Sequence, residues 1–320
     1  MDTLVSVCIP VYNNEEYIVQ TLESVVDQTF NNIEIIIVDD NSSDKSLDLI
    51  METTSRMLLD GKVDEVADLT NVDIVYSKKA PVSVSQIDFK ASGIPQLIGE
   101  SGKRIFIFRN EINLGMSGNW NRCLELCRGE YIKLICADDK IHPSLIEKEV
   151  EKMNEYPEAV LVESDTVFVD KNNNVCGTYS RYGNGIVEGK KIAKHSLFTR
   201  DYFGAPLANL IRASAYKKYG GFDSTFNYII DYDFFIKLAC KGKVFVIREP
   251  LNYFCIRNDS NTGEVLGGDK GKIYTEEHKR LLEKYSIELG LSDIAKWMSM
   301  LIRRTMNVLG GVYLKIKIGH

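Results

Sequence analysis

Apolar residues recur along this chain in two alternating rhythms. Val5-Ser6-Val7-Cys8-Ile9 is short, rich in β-branched residues and closed by Pro10, the pattern of a buried strand. Glu15 to Gln28 switches to helical spacing, with Ile18, Leu22, Val25 and Val26 on one face. Ile33 to Val38 is a second continuous apolar run, ended by Asp39-Asp40, and Ser43 is suited to cap a helix reaching about Leu59. Strand, helix, strand, helix, with strands apolar on both faces, predicts a parallel sheet covered on both sides.

The rhythm breaks between Gly61 and Lys103, where acids, Pro81, Pro95 and polar runs mix; this stretch reads as an insertion or lid with one short strand at Val72–Tyr76. It then resumes. Strands are expected at Arg104–Arg109, Tyr131–Cys136, Ala159–Asp170 and Val244–Ile247. Helices are expected at Ser117–Cys127, from near Pro143 to Tyr156, and at Asp231–Cys240, with a loop and a helix between Asp201 and Gly221. From about Lys272 the chain is helical, with Leu291, Ile294, Trp297, Met298, Leu301 and Ile302 sharing a face.

Composition narrows the picture. The 320 residues suffice for one large α/β domain with an appendage, and 44% hydrophobic residues allow an ordinary core. A net charge of −6 argues against a nucleic-acid partner. The seven cysteines include no paired CxxC, so they read as buried reduced thiols rather than a zinc site. The histidines His142, His195, His278 and His320 have no spaced partner and are assigned to no metal. The first ten residues lack a basic leader, and no apolar stretch reaches the roughly 18 residues that span a bilayer, so a cytoplasmic protein is expected.

Two strands finish in adjacent aspartates, Asp39-Asp40 and Asp138-Asp139. In open α/β sheets ligands bind outside the carboxyl ends of the strands, so the two pairs should meet in one crevice. Carboxylates there suit Mg²⁺ or Mn²⁺ shared with substrate phosphates, and no P-loop motif offers another cradle. The plainer alternative is that these aspartates only end strands and cap the helices that follow.

At this point the chain resembles the family 2 glycosyltransferases. The resemblance rests on an ordered set: Ser6 to Asn13; Gln28-Thr29-Phe30; Glu34 to Asp44; Asn113-Leu114-Gly115 with Asn119 and Asn121; Gly129 to Ile132; Ala137-Asp138-Asp139 with Pro143; Gly220 to Asp223; and Asp231-Tyr232-Asp233. It implies a GT-A fold: an α/β domain with a mixed, mostly parallel central sheet flanked by helices over residues 1–256, with 61–103 as the insertion, and a C-terminal helical tail over 257–320. It also implies an inverting enzyme. Such an enzyme moves a sugar from a nucleoside-diphosphate sugar, most commonly a UDP-sugar, to a hydroxyl of a glycan or lipid-linked acceptor in polysaccharide synthesis.

Carried over residue by residue, Pro10, Tyr12, Asn13, Asn113 and Ala137 would line the donor nucleotide, and Asp40 with Asp39 would accept hydrogen bonds from base or ribose. Asp138 would hold the metal, supported by Asp139, and Asp231 would be the catalytic base. Asp233 is the rival base, because one helical turn does not decide which acid faces the cleft. Two departures stand out. Cys136 occupies the first acid position of the metal motif, and a thiol is a poor Mg²⁺ ligand. Arg257 stands where the family often has a His; it would bind the diphosphate or lie in solvent.

From Ile294 onward the tail carries Lys296, Arg303, Arg304, Lys315 and Lys317 and no acid. That composition suits either packing on the domain, a dimer contact, or peripheral contact with an anionic membrane. Two other functions compete: a nucleotidylyltransferase, opposed by the absence of Gly, Lys and Arg between Val5 and Gln20, and a non-catalytic nucleotide-sugar-binding scaffold.

Overall fold

The computed structural model describes residues 3–70, 101–257 and 271–318, with side chains as far as Thr305. The expected strand at Val72–Tyr76 and most of the expected insertion lie outside the described residues.

The opening alternation is observed: β1 (Val5–Val11), α1 (Ile18–Val26), β2 (Ile33–Asp39) and α2 (Ser46–Leu59). Along β2, Ile33, Ile35 and Ile37 pack into one apolar cluster and Ile36 and Val38 into another, because a strand sends alternate side chains to opposite faces. Both faces are covered, as a continuous apolar run requires. Ser43 does not cap α2. The helix starts three residues later, where Asp44 takes the Ser46 N–H at 2.9 Å, and the Ser43 N–H is held by Asn13.

There follow β3 (Glu65–Asp68), β4 (Lys103–Arg109), α3 (Gly115–Leu126), β5 (Tyr131–Leu134), β6 (Lys140–Ile141), α4 (Leu145–Glu155) and β7 (Ala159–Val169). Next come β8 (Val175–Tyr179), β9 (Gly185–Glu188), α5 (Gly189–Phe198), β10 (Asn209–Arg212), α6 (Ala213–Tyr219), α7 (Ile230–Ala239) and β11 (Lys243–Cys255). Two further helices, α8 (Gly271–Leu289) and α9 (Asp293–Ile318), form the tail.

The sheet runs β3-β4-β2-β1-β5-β10-β7-β11-β6. The strands from β3 through β5 are parallel; β10 lies antiparallel between β5 and β7. β10 was not anticipated as a strand; with the antiparallel pairings of β6, β8 and β9 it makes the sheet mixed. Four residues with no alternation carry too little pattern to be read as a strand. At the base of the parallel strands Gly129 passes so close to β1 that a Cβ on it would lie 2.6 Å from the Ser6 nitrogen. Its N–H donates to Ser6 Oγ at 2.7 Å.

Beneath the β5 end of the crevice lies a fully buried ion pair, Lys133 Nζ on β5 with both oxygens of Glu149 on α4 at 2.7 and 2.8 Å. Breaking such a pair strands a charge in the core. Lys133→Met should therefore cost about 3–5 kcal/mol in urea unfolding, whereas Lys133→Met with Glu149→Leu should recover most of that loss. A double variant as unstable as the single one would show that the pair is not an isolated electrostatic unit.

Candidate active site

The parallel order β2-β1-β5 brings three strand ends to the same edge, and the residues after each build the site. After β1, Tyr12 is half exposed at 49% and Asn13 takes a left-handed turn at φ +50°. After β2, Asn41 does the same at φ +61°. Asparagine tolerates that conformation, which explains its place in both turns. The two turns are laced together: the Asn13 N–H donates to Ser42 Oγ at 3.0 Å, Asn13 Oδ1 accepts the Ser43 N–H at 2.9 Å, and the Asn14 N–H donates to Ser46 Oγ at 2.8 Å.

Asp39 and Asp40 are both buried. Asp39 accepts the Ser42 N–H and pairs with Arg109 Nε at 3.3 Å, while burial pushes its carboxyl above the usual range. Asp40 is engaged on both oxygens. Oδ1 accepts from Asn110 Nδ2 at 2.7 Å and the Leu114 N–H at 2.8 Å, and Oδ2 accepts from the Gly115 N–H at 3.0 Å. These bonds fix the start of α3, where Asn113 also caps the Gly115 N–H at 2.8 Å. Pro10 is buried within β1, and its part in any pocket is through the backbone.

After β5 the chain makes a tight turn, with the Asp139 N–H donating to the Cys136 carbonyl at 3.1 Å. Thr21 Oγ1 on α1 bridges the Ala137 and Asp139 carbonyls at 2.9 and 2.8 Å, a clamp the sequence gave no sign of. Asp139 is buried; its Oδ1 accepts the Cys255 N–H at 3.0 Å and its Oδ2 has no hydrogen-bond partner. Burial and then the neighbouring Asp138 charge push its carboxyl well up. Asp138 is partly buried, 3.2 Å from Arg257 Nε. Arg257 also donates to Asn14 Oδ1 at 3.2 Å and lies over the Tyr17 ring at 4.9 Å, so it belongs to the crevice and not to open solvent.

The two candidate bases separate clearly. Asp231 is half buried in the first turn of α7, its Oδ1 accepting the Tyr232 N–H at 2.8 Å. Burial, reinforced by the charge of Asp201, raises its carboxyl to about 7. Asp233 is a correction. It faces the tail, fully buried, with Oδ1 bound by Lys284 Nζ at 2.8 Å and Tyr285 Oη at 3.0 Å, and it is not presented to the cleft. Burial pushes the Cys136 thiol well up, and the charges of Asp139, Asp138 and Asp231 push it further while Arg257 opposes them. Phe203 is fully buried core, stacked against Phe235.

A divalent cation fits this arrangement as a shared site. Asp138 offers one hard oxygen donor beside the orphaned Oδ2 of Asp139, and a diphosphate would have to complete the shell. Among the described residues no cluster of three His, Cys, Asp or Glu side chains forms a self-contained metal site.

The family model for glycosyl transferase family 2 matches residues 6–63 and 91–220. The chain belongs to glycosyl transferase family 2. It is a glycosyltransferase, and the mixed, mostly parallel sheet flanked by helices is the fold expected for it. A family 2 relative described as an uncharacterized glycosyltransferase of Methanocaldococcus jannaschii is 26% identical over 81% of this chain and 72% of its own length. Escherichia coli chondroitin synthase is 23% identical over 90% of this chain, which spans 33% of that longer protein. Among solved structures, S. aureus TarS 1–349 in complex with UDP superposes with a TM-score of 0.61 at 15% identity, over 99% of this chain and 75% of that one. The mannosyltransferase PcManGT of Pyrobaculum calidifontis, in complex with GDP-Man and Mn²⁺, gives 0.58 at 11% identity, over 97% and 73%.

Within this family 2 enzyme, Asp40 and Tyr12 should differ widely in their response to substitution. Asp40→Ala strands three N–H donors and should lower stability by about 2–3 kcal/mol in thermal or denaturant unfolding. Tyr12→Ala, half in solvent, should change stability by less than about 0.5 kcal/mol. Equal, small losses would show that Asp40 does not hold the turn.

Proposed function

We propose that this glycosyltransferase transfers one sugar, with inversion, from a nucleoside-diphosphate sugar to a hydroxyl of a glycan or lipid-linked acceptor, in cell-surface polysaccharide synthesis. UDP-sugars are the first donors to test. The observation that supports the reading is the Asp138–Arg257 pair at 3.2 Å in the turns that follow the parallel strands, with Asp231 at the start of α7 and its charge acting on Cys136 of the same turn. Donor class is supported by the neighbours, whose structures hold UDP, UDP-GlcNAc and GDP-Man.

In this reading Pro10, Tyr12, Asn13 and Asn113 line the nucleoside. Asp39 and Asp40 act mainly by shaping that turn. Asp231 takes the acceptor proton as the acceptor oxygen attacks the anomeric carbon; the carbon–oxygen bond to the diphosphate breaks and the nucleoside diphosphate leaves with the electron pair. The guanidinium of Arg257 suits the diphosphate as a fork of donors. A divalent cation, Mg²⁺ or Mn²⁺, would be held by Asp138 with the diphosphate and would supply positive charge for the leaving group. Asp139 supports the turn from beneath.

The ionised form of Asp231 is the active one, and its carboxyl stands at about 7. The pH profile of kcat/KM should therefore rise through about 7 and level off above it. Asp231→Asn should lower kcat by about 10²–10⁴-fold and remove that limb. NMR of the first-formed product should show the anomeric configuration opposite to the donor's. Retained configuration would overturn inversion, and a profile falling as pH rises through 7 would overturn the base.

The tail gives a second expectation. Ile294, Trp297, Met298 and Leu301 recur at helical spacing and are exposed, with Arg304 exposed near them, while Lys296 lies on another face and pairs with Asp293 at 2.8 Å. No acid follows Asp293. Arg303, counted with the surface charges from sequence, is buried instead. No helix among the described residues is long and apolar enough to cross a membrane. We extend the proposal to peripheral contact of this stripe with an anionic membrane at its cytoplasmic face. The protein should sediment with vesicles containing phosphatidylglycerol and not with phosphatidylcholine alone, and Trp297→Ser with Leu301→Ser should abolish it. Each basic residue near such a surface contributes about 1 kcal/mol, so raised salt should weaken binding. Equal sedimentation of parent and variant would remove the membrane from the proposal.

A further inference from the structure

The tail is bound to the segment that carries Asp231. Glu277 on α8 accepts the Asn227 and Tyr228 N–H groups at 2.7 and 2.9 Å, fixing the loop that leads into α7. Lys284 and Tyr285 grip Asp233 one turn on. Deepest of these contacts is Arg303 on α9, whose side chain reaches between α5, α7 and α8. Its Nη2 donates to the Ser196 carbonyl at 2.8 Å and to Tyr232 Oη at 3.0 Å, and its Nη1 to Tyr274 Oη at 3.4 Å.

Tyr232 is the residue after Asp231, and its N–H holds the Asp231 carboxylate at 2.8 Å. Its ring is buried and lies parallel to His278, with centroids 6.5 Å apart and 6° between planes. His278 is itself anchored by Ser299 Oγ at 3.1 Å, and Ser299 also belongs to α9. The other end of the Arg303 bridge, Ser196, organises the loop that carries Asp201. Ser196 Oγ accepts the Tyr202 N–H at 2.8 Å and donates to the Arg200 carbonyl at 3.1 Å. One guanidinium thus connects the helix of Asp231 to the loop of its acidic neighbour.

A buried guanidinium is costly, and its Nε has no hydrogen-bond partner here, so packing alone does not account for an arginine. Arg303 gives the base what a fixed position requires: a directional tie at the far end of the adjacent side chain. We propose that Arg303 is a positioning residue for catalysis, bridging Ser196 and Tyr232 so that the first turn of α7 holds Asp231 in its productive orientation. The proposal rests on Asp231 being the base.

The test uses the full chain with Tyr232→Phe, Arg303→Met, their combination, and Asp231→Asn. Transfer kcat, donor affinity by calorimetry and melting temperature are measured for each. Misplacement of a reacting group by about 1 Å lowers rate on the order of 10²-fold. Tyr232→Phe and Arg303→Met should accordingly each lower kcat about 10–100-fold, with donor affinity within about twofold of the parent. The double variant should be no worse than Arg303→Met alone, and added guanidinium ion should restore part of the kcat of Arg303→Met but none of that of Asp231→Asn.

If Arg303→Met fails to fold, Tyr232→Phe, which removes one oxygen, decides the matter. A kcat near parental in Tyr232→Phe, or losses that multiply in the double variant, would overturn the bridge. Parental activity in Asp231→Asn would instead overturn the assignment of the base, and the two failures are told apart by that variant.

Discussion

Carboxylates gathered where parallel strands end must each be matched by donors, because burial at the end of the strands disfavours their charge. In this enzyme the match is graded. Asp40 is bound by an asparagine amide and two backbone N–H groups. Asp39 has a serine N–H and an arginine. Asp139 has one N–H and an orphaned oxygen, and Asp231 is held by the N–H of Tyr232. The better a carboxylate is matched from within, the more it is architecture; the less it is matched, the more its oxygens remain open to a proton or to something that enters. That gradient separates the turn-forming acids of the β2 end from the acids of the β5 and α7 ends.

Much of this was legible in the sequence where the physics is local. Continuous apolar runs marked β1 and β2 because a strand buried on both faces leaves no polar position. The acidic pairs marked the strand ends, and the ordered motifs gave the family. What escaped depends on partners far along the chain. The strands β8, β9 and β10 are short and partly polar, and their pairing is set by β7, β11 and β5. Asp233 resembles Asp231 in every local respect, yet two residues along a helix turns it by about 200° toward the tail, where Lys284 and Tyr285 meet it. Thr21 lies on a helix face with no pattern to mark it, more than a hundred residues from the turn it clamps.

The tail inverts the usual reading of an amphipathic helix. Periodicity identified the apolar stripe correctly, but Ile294, Trp297, Met298 and Leu301 face outward while Ser299 and Arg303 are buried. Beside Met300, the inward face of α9 carries polar side chains because much of what it meets is polar: a tyrosine hydroxyl, a histidine ring and a buried carbonyl in the last turn of α5. A hydrophobicity rule assumes that the partner surface is apolar. Where a helix covers the back of a site built from tyrosines and acids, hydrogen bonding decides which face turns in.

The two halves of the crevice are consequently held by different means. The side built by the turns after β1, β2 and β5 is fixed by strands, and the turns after β1 and β2 are bonded to one another; its precision comes with the sheet. The side bearing Asp231 is assembled from a loop after α5, the start of α7 and two helices from the end of the chain, none of which pairs in the sheet. Such an assembly lacks the rigidity of a ladder and must obtain it from side chains that reach across elements. Glu277, Lys284, Tyr285 and Arg303 do this from four positions on two helices, and each bonds a group within four residues of Asp231 or a loop that surrounds it. The final helices thereby belong to the same mechanical unit as Asp231, whatever their outer face touches.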